Sequence, residues 1–413
     1  MGAKNIVVIG TLDTKGEQIL FLKNSIKQRG HETIVVDLSM GSTPLFRGDI
    51  TPEEISQAGG KNFEQIRALR DRSSAMQIME TGVIKRIREL ILAKKVDGII
   101  AIGGVTLALM GSHIMKAVPF GVPKIIVCPA AMPSYVAEWF DSMDISVMQS
   151  IVDFAGLNDL VKSALTRAAG MICGMTEEAL PSDALKLPNG SIAITQFGFS
   201  ENCAKHVRQY LEERGYTVYP FHAQGISERA MEDLIAQGFF DGVIDIVPAG
   251  VIEEIFEGNR AAGPERLEAA GRRGIPQVIA PCAINITDCG PTRKNKEKYA
   301  SREKVQKIDD LRSATRFNSE ELRIGAKVYA EKLNKSKGQV SILIPLRGWS
   351  SNDQEGSILY NPKEDMIFID ELRRNLRPEI EIEEVDCNLE DPKFAIALVE
   401  KFEFLYKKLE RTQ

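Results

Sequence analysis

The feature that most constrains this chain is a strand–helix–strand pattern written twice in the same order. The first copy opens with Asn5-Ile-Val-Val-Ile-Gly10, a short β-branched run closed by glycine. A helical stretch from Glu17 to Gln28 follows, with apolar residues at Ile19, Leu20, Leu22 and Ile26, then Arg29-Gly30 and the run Thr33-Ile-Val-Val-Asp37. The second copy opens with Ser191-Ile-Ala-Ile-Thr-Gln-Phe-Gly198. It passes through a helix from about Asn202 to Glu213, then Arg214-Gly215, and reaches Tyr216-Thr-Val-Tyr-Pro-Phe-His222. Further on, Val96-Asp97-Gly-Ile-Ile-Ala-Ile-Gly-Gly104 parallels Phe240-Asp241-Gly-Val-Ile-Asp-Ile-Val247. Phe120-Gly-Val-Pro-Lys-Ile-Ile-Val-Cys-Pro129 parallels Arg273-Gly-Ile-Pro-Gln-Val-Ile-Ala-Pro281. Near-continuous apolar strands alternating with amphipathic helices require a parallel sheet buried on both faces by crossover helices. The expected fold is therefore α/β, two doubly wound Rossmann-like lobes with parallel sheets, related as an internal duplication.

The copies differ in spacing. The first carries an insert from Met40 to about Ile84, which reads as a polar loop, Gly41–Asp49, followed by helices. The second adds strands at Gln339–Leu346 and Ile380–Asp386 and a closing helix from about Asp391 to Leu409. A chain of 413 residues exceeds what one core usually fills. The segment Thr176–Gly190, with two prolines, acidic residues and Asn189-Gly190, reads as the boundary between domains at 1–180 and 190–413.

Composition narrows the partners. A net charge of −5 argues against nucleic acid and membrane surfaces, which call for a basic footprint. The 6 cysteines, at 128, 173, 203, 282, 289 and 387, form no CxxC pair. They read as buried thiols of a reduced, cytoplasmic compartment. Gly98–Met115 has no formal charge, but its glycines and hydroxyls favour strand–loop–helix over a membrane span. No HExxH or EF-hand pattern occurs, so no metal held by protein ligands alone is expected. A symmetric homo-oligomer is the base-rate expectation.

Ligands of open parallel sheets bind beyond the carboxyl ends of the strands. In the first lobe this rim comprises Gly10–Gly16, Asp37–Ser42, Gly103–Thr106 and Cys128–Ser134. Gly10-Thr-Leu-Asp-Thr-Lys-Gly16 has the strand–loop–helix context of a phosphate-binding turn, with Thr11 and Thr14 as hydroxyl donors and Lys15 as a cation. Its spacing is neither GxGxxG nor a Walker loop. The bland alternative is that Asp13 or Thr14 caps the helix, with Glu17 completing a capping box on Thr14. Asp37 is placed to accept ribose hydroxyls, or else initiates a turn before Ser39 and Gly41. Gly103 and Gly104 let a phosphate approach the backbone, and Thr106 is a capping candidate. In the second lobe the matching rim offers His222, Gln224, Asn285 and Arg347. The histidine reads as a proton shuttle or a structural residue, and the arginine as an anion fork or a surface ion pair. The basic run from Thr292 to Lys307 reads as an anion-facing loop or a solvated helix face.

These residues resemble a known family. Ile9-Gly-Thr-Leu-Asp-Thr-Lys-Gly-Glu17, Val36-Asp37, Asp71-Arg-Ser-Ser-Ala-Met76, Gly98-Ile-Ile-Ala-Ile-Gly-Gly104 and Ser150-Ile-Val-Asp-Phe-Ala-Gly-Leu-Asn158 look like the Tm-one-like ATP-binding domain. Phe221-His-Ala-Gln-Gly225, Ala262-Gly-Pro-Glu-Arg-Leu-Glu-Ala-Ala270 and Ile344-Pro-Leu-Arg-Gly348 extend the match over nearly the whole chain. The resemblance implies ATP as ligand, with or without magnesium, at Thr11–Lys15, Asp37 and Gly103-Gly104. The family's Gly-Gly-Ser-Gly-Gly-Thr loop reads Gly103-Gly-Val-Thr-Leu-Ala108 in this chain, which removes polar groups from the rim. The expected function is ATP binding by the first lobe and a small-molecule site in the interlobe cleft, with phosphoryl or nucleotidyl transfer as the fitting chemistry. The alternative is a non-catalytic nucleotide or metabolite binder serving as a regulatory subunit.

Overall fold

In the first unit every apolar run noted above becomes a strand of one parallel sheet. The computed structural model describes residues 2–131, 139–179, 187–290 and 295–410, in two units, Met1–Leu185 and Lys186–Gln413. Strands β1 (Asn5–Gly10), β2 (Glu32–Asp37), β3 (Gly98–Ile102), β4 (Lys124–Cys128) and β5 (Ile145–Gln149) lie in the order β2-β1-β3-β4-β5. Side chains alternate across a strand. Val7 and Ile9 accordingly join one core layer, while Ile6 and Val8 join the opposite one. β3 and β4 are buried along their whole length, as expected for central strands covered on both faces.

Helix α1 (Leu12–Lys27) and the helix Asp159–Glu178 pack on the Ile6/Val8 face. The latter runs two residues past Thr176, into the segment read as linker; residues 180–186 of that segment lie outside the described residues. The insert forms α2 (Pro52–Ala58), α3 (Phe63–Arg67) and α4 (Arg72–Leu92), and α5 (Val105–Met115) follows β3. Thr51/Glu54 and Asn62/Gln65 form reciprocal capping boxes on α2 and α3, and Asp71 caps α4 through the amides of Ser73 and Ser74. α2 and α4 approach so closely that a Cβ on Gly82 would lie 1.9 Å from the Ile55 carbonyl oxygen. The insert is thus a packed wall rather than a loose excursion.

The second unit repeats the topology. β6 (Ser191–Gln196), β7 (Thr217–His222), β8 (Gly242–Asp245), β9 (Gln277–Ile279), β13 (Val340–Pro345) and β14 (Glu381–Val385) form a parallel sheet ordered β14-β13-β9-β8-β6-β7. Its core order β7-β6-β8-β9 matches β2-β1-β3-β4, which is the internal duplication in structural form. An antiparallel sheet of β10 (Ile286–Cys289), β12 (Ser313–Arg316) and β11 (Val305–Lys307) was not anticipated. Part of the basic run belongs to it. Lys298 stacks on Phe256 and Tyr299, Arg302 pairs with Glu321, and Lys307 pairs with Asp310. Arg293 and Lys294 of that run lie outside the described residues. The 6 cysteines are all buried and unbridged. No described helix is long and apolar enough to cross a membrane.

Candidate functional site

The order β2-β1-β3 makes β1 the point where winding reverses, since the chain leaves it toward β2 on one side and reaches β3 on the other. Open α/β sheets hold ligands in the crevice above such a point. A cavity of about 520 Å³ occupies it. Of the residues expected from sequence, Thr11, Asp13, Thr14, Lys15, Gly41, Gly103, Gly104 and Thr106 line this cavity. Residues 132–134 of the expected Cys128–Ser134 rim lie outside the described residues.

The turn after β1 differs from the expected open loop. α1 starts at Leu12, so Gly10–Gly16 is mostly its first turn, and Thr11 rather than Asp13 or Thr14 is the N-cap, without a side-chain cap bond. The first amides of the helix are engaged internally. Leu12 N donates to Asp37 Oδ1 at 3.0 Å and Asp13 N to Ser39 Oγ at 3.0 Å. Thr14 N and Lys15 N both donate to the Thr11 carbonyl. The hydroxyls of Thr11 and Thr14 bond each other at 2.6 Å, and Asp13 Oδ2 accepts from Gly41 N. Lys15 interrupts the helix (φ −126°, ψ 21°) and its ammonium donates to the Phe154 carbonyl at 2.8 Å and lies 3.4 Å from Asp153 Oδ1.

Asp37 is 1% exposed and does not line this cavity. Its Oδ1 accepts from Leu12 N, Ser39 N and the Ser39 hydroxyl, which is the turn-initiating geometry. Burial pushes its carboxyl above the usual range, against those three hydrogen bonds. The segment from Asp37 to Ser42 forms a partition. Leu38, Met40 and Gly41 face the first cavity, whereas Asp37, Ser39 and Ser42 line a second one of about 620 Å³ with Phe46, Arg47 and Phe63.

The free donors lie at α5 instead. Gly104 is its N-cap, in extended backbone with no side-chain cap bond, and the amides of Val105, Thr106 and Leu107 have no acceptor among the described residues. Opposite, the insert contributes Arg67 and Arg72. Arg67 is 3.6 Å from the exposed Glu64, and Arg72 has no partner among the described residues. Met40, Met76, Met110, Ile66 and Leu69 supply an apolar lining. The two arginines and the methionines were not singled out in sequence. For Arg72 and Met76 the stretch Asp71–Met76 carried a signal, because it belongs to the family resemblance while lying in an otherwise featureless helix; nothing in the sequence marked Arg67 or Met110.

In the second unit the four expected residues do not converge. His222 is exposed at the end of β7, and Arg347, just past β13, makes a bidentate exposed ion pair with Asp386 at 2.7 Å. Strands β7 and β13 are separated by β6, β8 and β9, about 19 Å at the usual interstrand spacing. Gln224 sits in the turn after His222, donating its amide to the His222 carbonyl. Asn285 is fully buried, its Nδ2 donating to Asp353 Oδ2 and Asp365 Oδ1, both at 2.7 Å. Arg316 completes this cluster by donating to both carboxylates. A second buried cluster joins Arg266 to Asp245, Glu228 and Glu232 at 2.6–3.1 Å. Burial raises both glutamates above their ordinary range, and Arg266 opposes it. These clusters knit the second unit together, and none of the described residues forms a metal-ligating group.

Comparison with known proteins places this architecture among relatives. Family models described as the N-terminal and C-terminal domains of Uncharacterised protein family (UPF0261) match residues 4–181 and 189–406. A UPF0261 protein of Clostridium tetani is 35% identical over 96% of this chain and 98% of its own length. A UPF0261 protein of Brucella suis biovar 1 is 31% identical over 94% of this chain and 93% of its own. The ToMV resistance protein Tm-1(GCR237) of Solanum lycopersicum is 27% identical over 96% of this chain, which spans 55% of that protein.

Proposed function

The chain belongs to the UPF0261 family, and on that footing we propose that its first unit binds an adenine nucleotide in the cavity above β1 and β3. The observation that carries the reading is the uncapped start of α5. Its amides at Val105, Thr106 and Leu107 lack acceptors, and they border the same cavity as Arg67 and Arg72. Unpaired amides at a helix N-terminus attract anions, and a guanidinium fork matches phosphate oxygens. The methionine-rich lining suits the flat face of a base, since thioethers adapt to irregular apolar surfaces. The phosphates are thus assigned to α5 rather than to α1, whose first amides are already bonded. A magnesium ion would arrive on the nucleotide, which needs few protein ligands.

Binding without chemistry is the better supported mode. Among the described residues lining the cavity there is no histidine, cysteine or serine, and the carboxylate of Asp13 already accepts from Gly41 N. Phosphoryl or nucleotidyl transfer is the second reading, supported by the presence of Lys15 at the cavity edge. The test is thermal unfolding of the purified chain with ATP, ADP, AMP and NAD, each with and without magnesium. A ligand at 100 times its Kd adds about 2.7 kcal/mol to the folded state. A melting curve that no adenine nucleotide moves would remove the proposal.

A further inference from the structure

We propose that Lys15 is a ligand-operated latch: an anion entering the cavity draws its ammonium away from the segment after β5 and frees residues 150–157. This rests on the nucleotide-binding reading and adds a response to it.

The segment is fastened to α1 at two points. Lys15 Nζ donates to the Phe154 carbonyl at 2.8 Å and approaches Asp153, and Gln18 Nε2 donates to the Gly156 carbonyl at 2.8 Å. Phe154 is buried between these fastenings, in the core layer that includes Leu12, Ile19 and Leu22. One residue of the segment works against the attachment. Ile151 has φ +68° and is 73% exposed. A β-branched residue gains nothing in that region of backbone space, because its Cβ crowds the carbonyl oxygen. No burial of its side chain offsets this. A held, strained segment relaxes when its fastening is removed.

The fastening and the cavity share one group. Lys15 borders the cavity, it is the residue at which α1 departs from helical dihedrals, and its side chain is only 21% exposed. A phosphate in the cavity offers a stronger acceptor than a neutral carbonyl. Of the present partners, only Asp153 is charged, and it is 69% exposed and so well screened. The ammonium therefore turns toward the bound anion, and Phe154 and Asp153 lose their tie.

Hydrogen exchange followed by mass spectrometry on the full chain tests this at the amides of Ser150, Phe154 and Ala155, which bond to the Cys128 carbonyl, to the Asp153 side chain and to the Asp153 carbonyl. Saturating ATP or pyrophosphate is expected to speed exchange there by roughly tenfold, the size of one lost charge-assisted bond. Lys15→Met and, outside the cavity, Gln18→Leu are expected to speed it without ligand. Ile151→Gly, which relieves the backbone, is expected to slow it. ATP that shifts the melting curve yet leaves 150–157 unchanged or slower overturns the latch alone. ATP that shifts nothing overturns the nucleotide reading and the trigger together. Unchanged exchange in both Lys15→Met and Gln18→Leu overturns the fastening itself.

Discussion

Gly104→Asp separates fold stability from ligand affinity, because the structure assigns the two effects opposite signs. Gly104 is the N-cap of α5 at φ −73° and ψ −178°, an ordinary extended conformation, and a Cβ there would meet nothing within 4 Å. An aspartate fits without strain and its carboxylate reaches the free amides of the first turn. Replacing a glycine cap adds a few tenths of a kcal/mol, the helix dipole about 0.3–1, and the restricted unfolded chain about 0.4–1. The ligand-free chain should gain about 1 kcal/mol, or roughly 2–4 °C in Tm for a unit of this size. An anionic ligand meets the reverse. A fixed carboxylate about 4 Å from a phosphate costs between about 1 kcal/mol in water and about 4 at an effective dielectric of 20. ATP affinity should fall by at least about fivefold, since each 1.4 kcal/mol is a decade. Gly104→Ala, which adds no charge, should keep most of the affinity. Differential scanning fluorimetry reads the first effect and titration calorimetry the second. A ligand-free Tm that falls would refute the open N-terminus of α5, and an ATP Kd within threefold of the parent, about 0.7 kcal/mol, would show that α5 does not hold the phosphates.

Two further expectations concern the second unit. Asp365 is pushed up to about 7 by burial and by Asp353, against Arg316 and Asn285. Its folded value lies above the unfolded one, so the native chain holds the extra proton between the two, and stability declines as pH rises from about 4 to about 7. Asp365→Asn should flatten that decline by at most about 3 kcal/mol between pH 5 and pH 8, measured as urea midpoints at the two values. Parallel pH profiles for the two proteins would contradict it. Arg266→Met leaves Asp245, Glu228 and Glu232 buried without their cation and should cost about 3–5 kcal/mol. A loss under about 1 kcal/mol in urea unfolding would mean that the carboxylates simply take up protons.

The sheet strands were legible because they are short, almost wholly apolar and closed by glycine or a charged turn, and their repetition told the lobes apart. β3 illustrates this: Gly98–Ile102 has no residue that suits water. The antiparallel strands β10–β12 were not legible. They carry Thr287, Asp288 and Arg316, which look exposed in sequence and are buried. Asp353, Asp365 and Glu364 meet Arg316 from distant parts of the chain, and Arg260 lies 4.0 Å from Asp288. The candidate site was half legible. The α1 turn and the Gly103-Gly104 loop were named, but Arg67, Arg72 and the methionine lining were not. Nor was the role of α1's first turn, because whether an amide is free depends on Asp37 and Ser39, residues more than twenty positions away.

Local chemistry alone therefore determined the two-lobed α/β plan, the duplication and the strand ends that border the cavity, since apolar period and glycine placement are properties of neighbouring residues. Only the tertiary structure decided which helix start remains unpaired, that Lys15 is already spoken for by Phe154, and that His222 and Arg347 sit on strands with three others between them. Those are matters of long-range partnership, set by which strands pair and which side chains the packing brings within hydrogen-bond reach.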